Sequence, residues 1–319
     1  MVKIPIEFPP AAPTLSGDLL TISRFLKDSP LVLRALRTIG DQMFISDKIL
    51  TGKIATESGS VIYEQNETIF AASAPQPVAP LSEYPLTAVS TGPALTANTV
   101  KWGNDSEISD ESISRQKYPV VARAFRKVMN SHVQQIDSVA LSAVASAVTQ
   151  NTAATASWAG TGAAPVILRD LMRAHANILA LKQGYMPDTV LCGLTTFANV
   201  VSDPTLQLLL PREYPGVQTA PVAEGLSSAY MRRIGGFTFI ASPNLPTNGV
   251  ATLLDSTVLG SFVDEYLPSE GYVSDGVDNL QVMTERLGKV DGWRIRARRT
   301  VVPIVQEPAA AWKITGVDA

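Results

Sequence analysis

Few side chains in this sequence have the types and spacing that catalysis or metal binding requires. His132 and His175 each lie on the apolar face of a predicted helix, which favours packing over ligation. The single cysteine, Cys192, lies in the apolar segment VLCG, and no acidic cluster accompanies it, so the pattern excludes a zinc site. The Gly-Thr-Gly segment at 160–162 lacks the third glycine of a phosphate-binding loop, and no G-x-S-x-G motif is present. We therefore expect no catalytic residue, no metal and no cofactor.

One charge cluster could carry function: a run of arginines in a strand-like stretch near the C-terminal end. Because side chains alternate along a strand, Arg294, Arg296 and Arg298 are predicted to share one face. One interpretation is a solvated or salt-bridged face, with Glu285 or Asp291 as partners. The other is ion pairing with carboxylates of a neighbouring subunit, for which the planar guanidinium group is well suited.

The element that must position much of the chain is a long helix between Ser109 and Val148. Apolar residues recur there at steps of three or four, which places them on one helical face. We predict that this stripe packs on the late strands near Trp293 and Ile295. Pro119 could begin the regular helix or kink it, and residues 119–148 would extend about 45 Å. The stripe residues are Val121, Phe125, Val128 and Ile136.

The region before the helix is extended and rich in proline. Residues 1–45 are predicted to form an arm, interrupted by a short helix that begins at Ser29 and Pro30 and ends at Gly40. Residues 46–70 are typical of a two-stranded hairpin or ribbon. Residues 68–100 contain five prolines and a single charge, Glu83. We expect this segment to extend over a neighbouring molecule.

The region after the helix alternates short helices and strands, which predicts a compact α/β or α+β unit at about 156–276. A helix should follow Pro165, a buried strand should cover 188–192, and a short helix should cover 195–201. At 319 residues the chain is long enough for about two domains.

Composition favours a protein with large subunit contacts. Charged residues make up 17% of the chain, below the roughly 25% of typical soluble domains. The net charge of −3 gives no global sign of nucleic-acid binding. The N-terminus lacks the apolar region of an export signal, and no stretch of 18 apolar residues suggests a membrane span. We expect no membrane association.

Four ordered stretches resemble the Hong Kong 97-type major capsid proteins of tailed bacteriophages, a family related to the encapsulins. VKWGNDSEISDES resembles the strand and turn before the family's spine helix, and ARAFRKVMNSHVQQIDSVAL resembles that helix. RIGGFTFIASPNLP is similar to a strand and turn of the axial domain. RIRARRTVVPIVQEPAAAWKITG resembles the family's arginine-rich closing strands.

The resemblance implies an α+β capsid fold with four parts. These are an N-terminal arm (1–45), an extended E-loop hairpin (46–99), a peripheral domain (100–155 and 277–302, spine helix about 112–148) and an axial domain (156–276 and 303–319). It implies a major capsid protein, not an enzyme, whose pentamers and hexamers form an icosahedral head around double-stranded DNA. Assembly would occur in the host cytoplasm.

The implied partners are neighbouring capsid subunits, nonspecifically bound DNA, a portal, a separate scaffolding protein and a decoration protein. A separate scaffold, or none, is implied because no N-terminal region of about a hundred residues could act as a fused one. Some family members crosslink an E-loop lysine to an asparagine, so Lys48 and Lys53 are candidate inter-subunit contacts. No matching asparagine or assisting acid can be identified, so crosslinking stays open.

Two alternatives remain. An encapsulin-like compartment would share the fold but enclose enzymes, and its gene neighbourhood would contain a cargo enzyme in place of portal and terminase genes. A soluble α/β enzyme would have a deep pocket with convergent polar groups, for which the sequence contains no motif.

Overall fold

The computed structural model describes residues 22, 25–71, 73–87, 91–116, 118–160, 164–207, 231–274 and 280–318. Residues 1–21, 23 and 24 of the predicted arm lie outside this set. The helices are α1 (Ser29–Met43), α2 (Ser46–Ile49), α3 (Asp110–Gln116), α4 (Tyr118–Ala147), α5 (Ile167–Ala180), α6 (Leu194–Ser202) and α7 (Pro204–Gln207).

The described strands form two six-stranded sheets and one two-stranded ribbon. In chain order they are β1 (Gly52–Thr56), β2 (Ser60–Glu64), β3 (Ala94–Asn98), β4 (Val100–Ser109), β5 (Asn151–Ala153), β6 (Thr189–Cys192), β7 (Met231–Ile234), β8 (Phe237–Ala241), β9 (Val250–Leu254), β10 (Gly260–Glu265), β11 (Val273–Ser274), β12 (Gln281–Leu287), β13 (Gly292–Val305) and β14 (Ala311–Thr315).

The first sheet is built around the long strand β13. The order is β1-β10-β13-β12-β11, and β4 also pairs with β13, antiparallel from Gly292 opposite Ser109 to Val301 opposite Val100. Helices α1 and α4 pack against it and share one hydrophobic core with it. Strands β10 and β13 approach closely at Gly260, where a Cβ atom would lie 2.2 Å from the carbonyl oxygen of Ile304.

The second sheet has the order β5-β14-β9-β6-β8-β7 and its own core with α5. Strand β6 is buried along its whole length, as its apolar sequence predicts. The predicted helices after Pro165 and over 195–201 correspond to α5 and α6. This region therefore contains helices and strands in the predicted order, and its sheet combines parallel and antiparallel pairs, which fits the α+β class.

Sheet membership differs from the predicted domain boundaries at several strands. Strands β10 and β11, assigned to the axial domain, pair within the first sheet, whereas β5, assigned to the peripheral domain, pairs with β14. The reason is long-range pairing: β10 aligns with the second half of β13 between Gly260–Val305 and Asp264–Val301. The chain passes from one sheet to the other between β4 and β5, between β9 and β10, and between β13 and β14.

The hairpin or ribbon expected within residues 46–70 is wrong in its pairing, because its two strands, β1 and β2, do not pair with each other. Strand β1 runs parallel to β10, and β2 instead pairs antiparallel with β3, which lies some thirty residues later. The chain turns between β1 and β2 at Gly59, whose φ of +72° favours glycine. The carbonyl of Gly59 accepts hydrogen bonds from the backbone and hydroxyl of Thr99, which closes the base of the β2-β3 ribbon.

Helix ends also differ in detail from the predictions. The long predicted helix corresponds to α3, up to Gln116, and α4, from Tyr118, and residue 117 lies outside the described residues. The hydroxyl of Ser109, the residue before α3, accepts a hydrogen bond from the backbone of Ser112. Helix α1 continues through Gly40 to Met43, so the predicted stop at that glycine is wrong.

Candidate functional site

The three predicted arginines lie on one half-exposed face of β13, while Trp293, Ile295 and Ala297 are buried on the other. The alternation expected from the sequence is therefore confirmed. The side chains of two of the three arginines reach from β13 to the adjacent strand β4. The face is paired within the chain, as the salt-bridge interpretation predicted. Its partners differ from those expected.

Glu107 and Asp105 on β4 hold the first two arginines, because the register places them opposite Arg294 and Arg296. Arg294 Nε donates to Glu107 over 2.9 Å, and Arg296 binds both oxygens of Asp105 at 2.7 Å. The hydrogen bond from Arg296 lowers the pKa of Asp105 below its ordinary value, against the opposing effect of partial burial. These pairs tie the two long strands together.

Arg298 contacts a different segment. Its guanidinium group stacks 3.7 Å from the ring centre of Tyr272 and donates to the side chain of Gln281 and the hydroxyl of Ser269. It also donates to the backbone carbonyl of Leu267. Arg298 therefore holds the segment that precedes and includes β11 against the sheet.

The neighbouring Arg299 forms the most buried charge pair described, and the site prediction missed it. Its side chain is 2% exposed and donates through Nε and one terminal nitrogen to Asp264 on β10, at 2.9 and 3.1 Å. The rings of Phe44 and Phe262 lie within 6 Å of the guanidinium carbon. Strand parity could have identified it, since residue 299 falls on the same face as the buried Ala297.

A second buried carboxylate fixes the segment that leads from α1 to the first sheet. Asp137 of α4 accepts hydrogen bonds from the backbone of Ile45 and from the backbone and hydroxyl of Ser46. Burial raises its pKa above the ordinary value, although the bonds from Ser46 act in the opposite direction. The start of α2 is thereby attached to the long helix.

The two candidate lysines flank this attachment. Lys48 is exposed in the last turn of α2, and Lys53 is exposed on β1, in register with Phe262 of β10. Both belong to the first part of the range predicted for the E-loop, residues 46–99. Their role as inter-subunit contacts stays a prediction.

The predicted stripe of the long helix is buried. Val121, Phe125, Val128 and Ile136 are each at most 3% exposed and belong to the core that contains Trp293 and Ile295. His132 lies in the same interface, where Nε2 is 3.1 Å from the carbonyl oxygen of Ala297 and donates to it. The helix stripe therefore joins the first sheet as expected.

The segment between β2 and β3 is the most exposed apolar part described. Its base is attached to the same chain, since Gln65 donates to Val305 and the backbone of Asn66 donates to Gln306. Further along, large side chains project into solvent instead of packing. These side chains are Ile69, Phe70, Leu81, Tyr84 and Leu86, all more than half exposed.

The described residues contain no group of three or more acidic, histidine or cysteine side chains that could hold a metal ion. Within the same described ranges, no helix combines the length and apolarity required to cross a membrane.

Comparison with solved structures identifies the fold. The chain is similar to the virus-like particle protein of Pyrococcus furiosus, with a TM-score of 0.57, 10% identity and coverage of 90% of this chain and 98% of that chain. It is similar to the capsid protein of cyanophage P-SCSP1u, with a TM-score of 0.58, 13% identity and coverage of 87% and 89%. It is also similar to the SrpI encapsulin of Synechococcus elongatus, with a TM-score of 0.51, 15% identity and coverage of 84% of this chain and 85% of that chain.

Comparison with sequences identifies the family. No curated protein sequence matches the chain. A family model described as phage capsid protein matches residues 93–314, which include β4, the long helix and most of both sheets and amount to more than half of the chain. The chain belongs to the phage capsid protein family and has the Hong Kong 97-type capsid fold.

Proposed function

We propose that this chain is the major capsid protein of a tailed double-stranded DNA bacteriophage. Its subunits form pentamers and hexamers that close into an icosahedral head around the genome. The observation that carries the proposal is the segment between β2 and β3, which exposes Leu81, Tyr84 and Leu86. Apolar surface of this kind is stabilised when a partner covers it. A neighbouring subunit is the partner that a shell supplies.

Negative-stain electron microscopy of the purified full-length chain tests this function. We expect rings or closed shells of uniform size, and sedimentation of most of the protein as large particles. A chain that stays monomeric and monodisperse at high concentration would contradict the proposal.

We propose the four-part division of the family for this chain, with the boundaries adjusted to sheet membership. The peripheral domain would contain α3, α4 and the first sheet, and the axial domain would contain α5, α6 and the second sheet. The E-loop would be the β2-β3 ribbon with the segment between its strands. Residues 1–45 would form the arm.

The arginine face and the two lysines are proposed as contacts between subunits. Arg294 and Arg296 already have carboxylate partners on β4, so a contact across a subunit boundary would share or exchange those partners. Lys48 and Lys53 would meet a neighbour at the base of the E-loop.

A portal, a separate scaffolding protein and a decoration protein are proposed as further partners, with nonspecific contact to packaged DNA and assembly in the host cytoplasm. Co-expression with a candidate scaffold tests that partner. Shells should become more uniform in diameter if the scaffold directs assembly, and unchanged diameters would contradict its role.

An encapsulin-like compartment is the second candidate, because the SrpI encapsulin has a similar fold. The contents of purified shells distinguish the two functions. A phage head should be associated with portal and terminase genes and should package DNA. A compartment should contain a folded cargo enzyme and exclude the genome.

A further inference from the structure

The exposed face of α4 combines positive charge with neutral hydrogen-bonding groups and contains no carboxylate. The helix has a single acidic residue, Asp137, and that residue is buried. Every exposed described residue of the helix is polar. We call these residues the α4 polar face: Arg123, Arg126, Lys127, Asn130, Ser131, Gln134, Gln135, Ser142 and Ser146.

The spacing of the cations along α4 places them on the same side of the helix. At about 100° per residue, Arg123, Arg126, Lys127, Asn130 and Gln134 fall within an arc of roughly 100°. Successive members spaced by four residues are about 6 Å apart along the axis. The face therefore presents a linear row of donors that begins with three positive charges.

In the described parts of the chain, the carboxylates on the elements adjacent to α4 are next to other arginines and do not pair with the α4 cations. On β4, Glu107 is bound by Arg294 and Asp105 by Arg296. At the start of α3, Asp110 is bound by Arg286, and Glu111 lies 3.9 Å from Arg115. No described carboxylate lies within ion-pair distance of Arg123, Arg126 or Lys127.

An open cleft continues the same surface beside the helix. Its volume is about 450 Å³, and Arg123 and Lys127 line it together with Ser106, Ser109 and Ser112. Glu107 also lines it, but its carboxylate is bound by Arg294, and the remaining lining residues are apolar or glycine. Arginine, lysine, serine, asparagine and glutamine are the side chains that contact nucleic-acid phosphates without reading sequence.

We propose that the α4 polar face binds the phosphate backbone of the enclosed double-stranded DNA without base recognition, an inference that rests on the proposed capsid function. An acidic protein segment is the competing ligand. Stable protein contacts usually depend on buried aromatic or aliphatic anchors, and the exposed residues of this face include none. The half-exposed arginines of β13 fit the role less well, because two of them are neutralised by β4 carboxylates.

A triple variant, Arg123→Gln, Arg126→Gln and Lys127→Gln, tests the assignment in the full-length chain. Binding of unassembled subunits to a fluorescent 30-base-pair duplex is measured by anisotropy over a range of salt concentrations. Loss of three phosphate contacts should reduce the slope of log K against log salt by about 2 to 3. Circular dichroism verifies that the variant is folded.

The matched control removes three positive charges elsewhere: Lys101→Gln, Arg169→Gln and Lys182→Gln, all exposed residues outside α4. The control should change the slope by less than about 1. The assignment would be overturned if both triple variants reduced the salt slope equally, or if the wild-type chain did not bind the duplex at low salt.

Shell formation separates this inference from the function on which it rests. Normal shells with an unchanged salt slope in the α4 variant refute DNA binding by this face but leave the capsid function intact. Absence of shells from the wild-type chain refutes the capsid function itself. Unchanged duplex binding with weakened binding to polyglutamate would assign the face to an acidic protein partner and overturn the proposal.

Discussion

The buried pair of Arg299 and Asp264 joins β13 to β10, and its energetic importance differs from that of the half-exposed pairs nearby. Replacing Asp264→Asn removes the carboxylate that binds the buried guanidinium group through two hydrogen bonds and leaves Asp47, 3.9 Å away, as its nearest described acidic side chain. This change should cost about 3 kcal/mol of the free energy of unfolding. Chemical denaturation measures this loss.

The pair of Arg296 and Asp105 supplies the matched control on the same strand. Its side chains are 35% and 34% exposed, so Asp105→Asn should cost no more than about 1 kcal/mol. Equal losses for the two substitutions would show that burial of Arg299 does not determine its contribution.

His132 should make the protein less stable as the solution becomes acidic. Burial lowers its pKa below the ordinary 6.5, and the nearby positive charge of Arg299 acts in the same direction, while the hydrogen bond to Ala297 opposes them. Below about pH 6.5 the unfolded chain therefore binds a proton that the folded chain excludes. The free energy of unfolding should fall by up to about 1.4 kcal/mol per pH unit until the folded pKa is reached.

Thermal unfolding between pH 7.5 and 5 tests the role of His132. His132→Gln should remove this part of the pH dependence, and His175→Gln, at a less buried position, is the control. If both variants keep the wild-type dependence, another group is responsible for it.

The identity of the charge partners could not be predicted at the residue scale. Alternation along the strand predicts which arginines share a face. It cannot identify Glu107 as the partner of Arg294, because these residues are 187 positions apart and meet only through the β4-β13 register. The local sequence favours nearer acids such as Glu285, which lies opposite Arg294 on β12 but does not form the described ion pair.

At the scale of elements, the stripe of α4 connects the helix to the first sheet. Phe125 is 1% exposed, and its ring centre lies 5.9 Å from that of Phe25. Phe125→Asp would bury an unpaired carboxylate, so it should abolish soluble protein and shell formation. Solubility after expression and electron microscopy measure the result.

The exposed Asn130 provides the control on the same helix, where Asn130→Asp should leave assembly intact. Normal shells from the Phe125→Asp variant would show that this helix is not the spine of the peripheral domain.

Elements with a strong local signal could be predicted, and those defined by distant pairing could not. The spacing of Val121, Phe125 and Val128 is a property of the helix itself, so its buried face follows from the sequence. The sequence of β2 does not indicate which strand pairs with it, because the residue types of β1 and β3 are equally compatible with pairing. The parallel pairing of β1 with β10 depends on the whole fold.

At the scale of the whole molecule, the protein has fewer charges than a typical soluble domain and exposes an apolar segment between β2 and β3. Both features indicate a chain whose stable surroundings include other copies of itself. Within residues 68–100, which include most of this segment, Glu83 is the single charged side chain of the sequence. A protease can therefore report whether assembly covers it.

Chymotrypsin should cut unassembled subunits after Phe70, Leu81 and Leu86, because these exposed residues lie outside regular secondary structure. In assembled shells the same bonds should be cut at least tenfold more slowly, since a neighbouring subunit would cover them. Mass spectrometry of the fragments identifies each site. Residues 54–100 contain no lysine or arginine, so trypsin is the control that reports on the rest of the chain. Equal chymotrypsin rates for subunits and shells would show that this segment remains exposed after assembly and does not form the contact proposed for it.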